Sequence, residues 1–89
     1  MTERWRPSVT VAAVVEREGR FLLVEEHAAG GMRLNNPAGH LDPGESIVDA
    51  VVREVREETA CVFTPNHLVG VYLARSQRSD GDITYLRFA

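Results

Sequence analysis

The sequence predicts an α/β domain in which one helix packs on a mixed sheet. Three observations carry this. Val-rich and aromatic segments with strand character lie toward both ends of the chain, a single uninterrupted helical pattern lies in the middle, and the order reads β-β-loop-α-β-β. With 89 residues there is room for one small domain, whose folding hides about 60–65% of the unfolded surface.

Residues 9–17, VTVAAVVER, are β-branched and apolar. Val9, Val11, Ala13 and Val15 share one face at period two, and Ala12 and Val14 make the other face partly apolar, so a strand buried on both sides is expected. Glu18-Gly19 supplies a turn, with Gly19 free to take positive φ, and residues 21–24 return as a second strand. Residues 27–36, with Gly30-Gly31 and Asn35-Asn36, read as a flexible loop, and 37–43 as a short extended piece followed by a turn. The helix follows Pro43-Gly44. Ser46 is its expected N-cap with Asp49 in the capping-box position, and residues 47–59 contain no Gly or Pro. After the break at Thr64-Pro65-Asn66, residues 68–74 read as a strand, 76–81 as a polar turn and 83–88 as another strand. The sequence stops in mid-strand at Ala89, so residues 1–89 are expected to be the N-terminal portion of a single domain whose C-terminal strands and helix are missing.

Composition narrows the function classes. Ten Arg and no Lys stand against thirteen acids, a net charge of −3, so a nucleic-acid polymer is not an expected partner. The lone Cys61 forbids an intrachain disulfide and a thiolate zinc site. No stretch approaches the roughly 18–20 apolar residues of a membrane span, and a cytoplasmic protein without membrane partners is expected. His27, His40 and His67 lack metal-ligand spacing, and Ser76 and Ser79 have no partner in register for nucleophilic catalysis. Trp5 is expected to cap the core. Oligomeric state is not legible.

The helix poses the chemical question. On a wheel measured from Glu54, Ile47, Val51, Val55, Val48 and Val52 fall at about 20°, 60°, 100°, 120° and 160°, the expected core stripe. Glu54, Glu58 and Glu57 fall at about 0°, 40° and 300°, three carboxylates within about 100° at the edge of that stripe. Each like-charge i,i+3 or i,i+4 pair costs on the order of 0.2–0.5 kcal/mol, and acids in the last turn oppose the helix dipole by about 0.3–1 kcal/mol. Arg53 and Arg56 offset part of this, Arg53 reaching Glu57 at i+4. Two readings stand at this point: a solvated acidic face laced with arginine, or a site for a hard divalent cation.

Residues 39–61 together, GHLDPGESIVDAVVREVREETAC, resemble the signature of the Nudix hydrolases. That signature is a Gly, five residues, a Glu, seven residues, then Arg-Glu-apolar-any-Glu-Glu-any-Gly-apolar. Gly39, Glu45, Arg53, Glu54, Val55, Glu57 and Glu58 match it in place; Ala60 stands where the family has Gly, and Cys61 where it has a bulkier apolar residue. Six strict identities at roughly 7% background give about 10⁻⁷ per starting position. The wider context, VTVAAVVE, FLLVEE, NNPAGHL and TYLRF, is similar to a phosphatase branch of the family acting on thiamine-pathway pyrophosphates and on nucleoside tri- and diphosphates.

The resemblance implies an α/β/α sandwich with a mixed sheet and Mg²⁺- or Mn²⁺-dependent hydrolysis of phosphoanhydride bonds in a small-molecule pyrophosphate or nucleotide. Carried over residue by residue, Glu57 and Glu58 become the principal metal ligands and Glu54 a further ligand or the water-activating base. Arg53 orients the acids, Glu45 braces loop and helix, and Ala38, just before the box and its Gly39, offers its carbonyl to the metal. Arg33, Asn36 and His40 are the candidate substrate contacts. A rival reading is a non-catalytic Nudix module that senses a nucleotide or metabolite; such modules usually lose box acids, and here all are present.

Overall fold

A computed structural model describes residues 4–28, 31–76 and 83–89. The apolar run begins as β1, Ser8–Ala12; one further bond in the same register, from the Ala13 N–H to the Pro37 carbonyl at 2.9 Å, extends the ladder, and Pro37 has no N–H to return a second. Val14 is 40% exposed, so the strand is not buried on both sides as far as Val15. β2, Glu16–Arg17, and β3, Arg20–Phe21, form a tight hairpin around Glu18 and Gly19, with φ of 53° and 77°. Positive φ at both central positions gives the twist a two-residue hairpin needs.

Most of the stretch expected as a loop at 27–36 is strand, and residues 29 and 30 within it lie outside the described residues. β4, Val24–Ala28, and β5, Gly31–Asn35, pair antiparallel with Glu26 opposite Arg33 and His27 opposite Met32. Every residue of β5 is exposed, so neither of its faces carries the apolar alternation by which a strand is recognised. β6, Ala38–His40, is the short extended piece expected there. α1, Ile47–Thr59, has the expected bounds, and the Ser46 hydroxyl accepts from the Asp49 N–H at 3.0 Å. The helix leaves through Ala60 at φ 60°, the left-handed exit glycine usually provides, with the Ala60 N–H on the Arg56 carbonyl at 2.9 Å. β7 runs Val71–Ser76, starting three residues later than expected, and β8 runs Ile83–Phe88. The rest of the turn expected at 76–81 lies outside the described residues.

Four of these strands form a mixed sheet in the order β6-β1-β8-β7, with β1 and β8 parallel and the other pairs antiparallel. The register sorts side chains by face. Val9, Val11 and Leu86 lie on one face; Thr10, Ala12, Ala38, His40, Tyr85, Arg87, Tyr72 and Ala74 lie on the other. The helix covers the first face, and the core is Val11, Ala13, Ala50, Val51 and Val55, flanked by Val15, Leu22, Leu41, Ile47 and Phe63. Two packing expectations are corrected here. Val48 is 56% exposed while Ala50 is fully buried, and Trp5 is 72% exposed and caps nothing. Ala50 falls at about 320° on the wheel, so the buried arc is turned toward Glu54 and takes in that carboxylate.

Candidate active site

β6 is an edge strand, and the helix uses its free edge. In an antiparallel pair the N–H and C=O of one residue point to the same side, and alternate residues point opposite ways. Pro37 and Leu41 bond toward β1 through Ala13 and Val9, which turns the backbone groups of Ala38 and His40 outward. The Ala38 N–H donates to Glu58 Oε1 at 3.2 Å, and the His40 carbonyl accepts from Arg53 Nη2 at 2.9 Å. The Ala38 carbonyl therefore faces the same open edge, beside Glu58. Between them Gly39 faces the helix, and a Cβ there would overlap the Glu54 carboxylate. Only glycine lets Glu54 lie against this strand.

Arg53 is the hub. Its Nε and Nη2 form a fork on the two oxygens of Glu45 at 2.7 and 3.0 Å, and its Nη1 donates to Glu54 Oε1 at 2.7 Å and to Glu57 Oε2 at 3.2 Å. Asp42 adds a contact at 3.4 Å. Glu45 and Glu54 are largely buried side chains, at 14% and 12% exposure, while Glu57 is open at 58%. The guanidinium holds the Glu45 carboxyl below its ordinary range, and the surrounding acids push the Arg53 pKa further up. The acids are thus not simply repelling one another: an arginine sits among three of them. Glu45 also accepts from the Asp42 N–H at 3.1 Å, which closes the loop ahead of the helix.

Glu58 is outside that network. Partial withdrawal of its carboxyl from water pushes its pKa up; the Ala38 N–H pulls it down, and Glu54 and Glu26 push it up again. Among the described residues no three Asp, Glu, His or Cys side chains are gathered as a ligand shell; Arg53 engages Glu54 and Glu57, and the Ala38 N–H engages Glu58. The donor set nonetheless fits a hard divalent cation. Carboxylate oxygens and an outward carbonyl meet at one strand edge, and the repulsion felt by Glu58 is the kind a cation removes.

On the sheet face away from α1 lies a cleft of about 640 Å³ that shares Ala38, Gly39 and His40 with the acid site. Of the three candidate substrate contacts, Asn36 and His40 line it; Arg33, exposed on β5, does not. Sequence reasoning missed Glu26, which lines the cleft, accepts from Asn35 Nδ2 at 3.3 Å and acts on Glu58. The signal was present: Leu22, Val24 and Glu26 alternate inward, so an acid occupies a core-facing phase. Tyr72, Tyr85 and Arg87 were also missed; each lines the cleft from a strand read only as a strand.

Comparison with known proteins gives a consistent result. The family model described as the NUDIX domain matches residues 4–87. The protein named Phosphatase NudJ from Escherichia coli K12 is 46% identical over 68 residues, covering 76% of this chain and 44% of its own length. The chain thus spans less than half of that relative. Among solved structures, a NUDIX hydrolase from Nitrosomonas europaea superposes with a TM-score of 0.84 at 54% identity, covering 93% of this chain and 55% of its own. A MutT NUDIX hydrolase from Burkholderia pseudomallei gives a TM-score of 0.76 at 25% identity, covering 94% of this chain and 66% of its own.

Proposed function

Because the chain belongs to the Nudix family, we propose that it is a hydrolase of phosphoanhydride bonds, dependent on Mg²⁺ or Mn²⁺. Its substrates are nucleoside di- or triphosphates or thiamine-pathway pyrophosphates. One observation carries the reading: Glu54 and Glu58 reach the open edge of β6 at Gly39 and Ala38, at the rim of the cleft. Residues 1–89 are read as part of a single domain, supported by the match over 4–87. A cytoplasmic location is supported by the single, exposed Cys61 and by the absence, among the described residues, of a helix able to cross a membrane.

In this reading Glu57, Glu58 and the Ala38 carbonyl would hold the cation, and of the two roles open to Glu54, further ligand or water-activating base, it takes the second. When bound, the cation supplies charge neutralisation at the phosphate oxygens and a lowered pKa for its water. Water attacks phosphorus, the bridging P–O bond breaks, the leaving phosphate takes the electron pair, and the proton lost by the water passes to the Glu54 carboxylate. Arg53 fixes that carboxylate through Nη1, and Glu45 fixes Arg53 through the fork, so the base is placed before substrate arrives. Gly39 lets Glu54 lie against the strand.

The test is release of phosphate or pyrophosphate from nucleoside di- and triphosphates and thiamine pyrophosphate, with Mg²⁺ or Mn²⁺ against EDTA. Metal-dependent release that Glu57→Gln and Glu58→Gln abolish is expected. No release from any member of the panel with either cation would overturn the proposal, as would full turnover in the Glu57 variant.

A further inference from the structure

The register of the sheet lines up four polar side chains that the proposed chemistry leaves unused. His40, Thr10, Arg87 and Tyr72 are successive cross-strand partners on β6, β1, β8 and β7, all on the face that floors the cleft. At about 4.8 Å per strand the row runs roughly 14 Å from the acid-bearing edge to Tyr72.

The two members farthest from the acid-bearing edge, Arg87 and Tyr72, are prepared for a ligand. Arg87 is exposed and donates through Nε to the Thr10 hydroxyl at 3.4 Å; among the described residues no carboxylate pairs with it. A guanidinium held by a neutral hydroxyl keeps its remaining donors for an anion, and its planar fork suits phosphate. Tyr72 is 50% exposed, and its phenol end lies over Gly70, where a Cβ would overlap it. The ring thus rests on bare backbone at that end and stands at the cleft, an aromatic surface able to take a flat ring.

We propose that this row is the specificity subsite: Arg87 binds the phosphate next to the organic group, and Tyr72 stacks on an aromatic heterocycle in that group. The order along the row, acid edge, Arg87, then Tyr72, matches the order of a phosphoanhydride whose outer phosphate lies at the acids and whose purine or pyrimidine ring lies farthest from them. The assignment rests on the function proposed above for its outer phosphate, and the experiment separates the two.

Calorimetric titration in Mg²⁺ would use the α,β-methylene diphosphates of adenosine and cytidine, which resist cleavage there, and ring-free methylenediphosphonate. Wild type should bind the ring-bearing probes more tightly than the ring-free one. Tyr72→Leu should weaken the ring-bearing probes about tenfold and leave methylenediphosphonate unchanged, while Tyr72→Phe should bind as wild type. Arg87→Gln should weaken both ring-bearing probes by a similar factor. Equal affinity of wild type for all probes, or a Tyr72→Leu loss that is absent or shared by methylenediphosphonate, overturns the subsite. Ring-dependent binding without phosphate release in the parallel assay retains the subsite and removes the hydrolase. Phosphate release indifferent to Tyr72 does the reverse.

Discussion

At Gly39 the absence of one methyl group decides where Glu54 can sit. A Cβ there would overlap the Glu54 carboxylate, so Gly39→Ala must push the acid off the strand and away from Arg53 Nη1. Displacements of about 1 Å cost on the order of 10²-fold in rate, and a fall of that size in kcat, with circular dichroism unchanged, is the expected outcome. Glu45 and Glu58 are displaced in opposite directions, so their pH effects have opposite signs. The Glu45 pKa is lowered by Arg53, and its contribution to stability is present above the ordinary carboxylate range and lost as pH falls through the depressed value. The Glu58 pKa is raised, and in metal-free protein its ionisation removes stability as pH rises from the ordinary range through the raised value. Thermal melts against pH in EDTA should therefore lose the acid-side fall in Glu45→Gln and the fall above the ordinary range in Glu58→Gln. Unchanged profiles in both would refute these shifts.

At the scale of elements, two tight geometries are held by residues that do not favour them. Ala60 ends α1 at φ 60° and Glu18 turns the first hairpin at φ 53°; a left-handed conformation costs a non-glycine residue about 1–2 kcal/mol. Ala60→Gly, which restores the residue the signature has at that position, should stabilise by about 1 kcal/mol, a rise in Tm of roughly 4–8 °C in a chain of this size. A fall in Tm would mean the exit is strained elsewhere. The elements also differ in how plainly the sequence announces them. The start of α1 is legible because Gly44 and Ser46 mark it, whereas Ala60 carries no stop signal of its own and the exit is legible only from the place it occupies in the signature. The pairing of β4 with β5 was illegible for a physical reason: β5 is exposed throughout, and Gly31 and Asn35, which signal loops, lie at its ends. The rotation of α1 was legible only in part, because Val48 outranks Ala50 in hydrophobicity although Ala50 is what fits against the sheet.

At the scale of the molecule, the acid half of the site is local in sequence and the other half is not. Gly39, Glu45 and the helix acids lie in one continuous segment and could be read together, whereas Tyr72 and Arg87 reach the cleft only through pairings that periodicity does not specify. Parallel pairing of β1 with β8 brings Arg87 beside Thr10, residues 77 apart in the chain. The structure also revises the balance of charges on which a metal effect depends. Arg53 already offsets Glu45, Glu54 and Glu57, so removing Glu57 relieves little repulsion. In EDTA, Glu57→Gln should stay within about 2 °C of the wild-type Tm, since exposed i,i+4 pairs contribute little either way. Added Mg²⁺ or Mn²⁺ should behave differently. A ligand that binds only the folded state stabilises it by about 2.7 kcal/mol at a hundred times its Kd, so the wild-type Tm should climb with cation concentration. Glu57→Gln and Glu58→Gln should blunt that climb, and lowering pH should blunt it in wild type, because protons held by Glu58 above the ordinary carboxylate range compete with the cation. A wild-type Tm indifferent to both cations, in a chain whose circular dichroism shows it folded, would mean that Arg53 and not a metal is the intended partner of these acids.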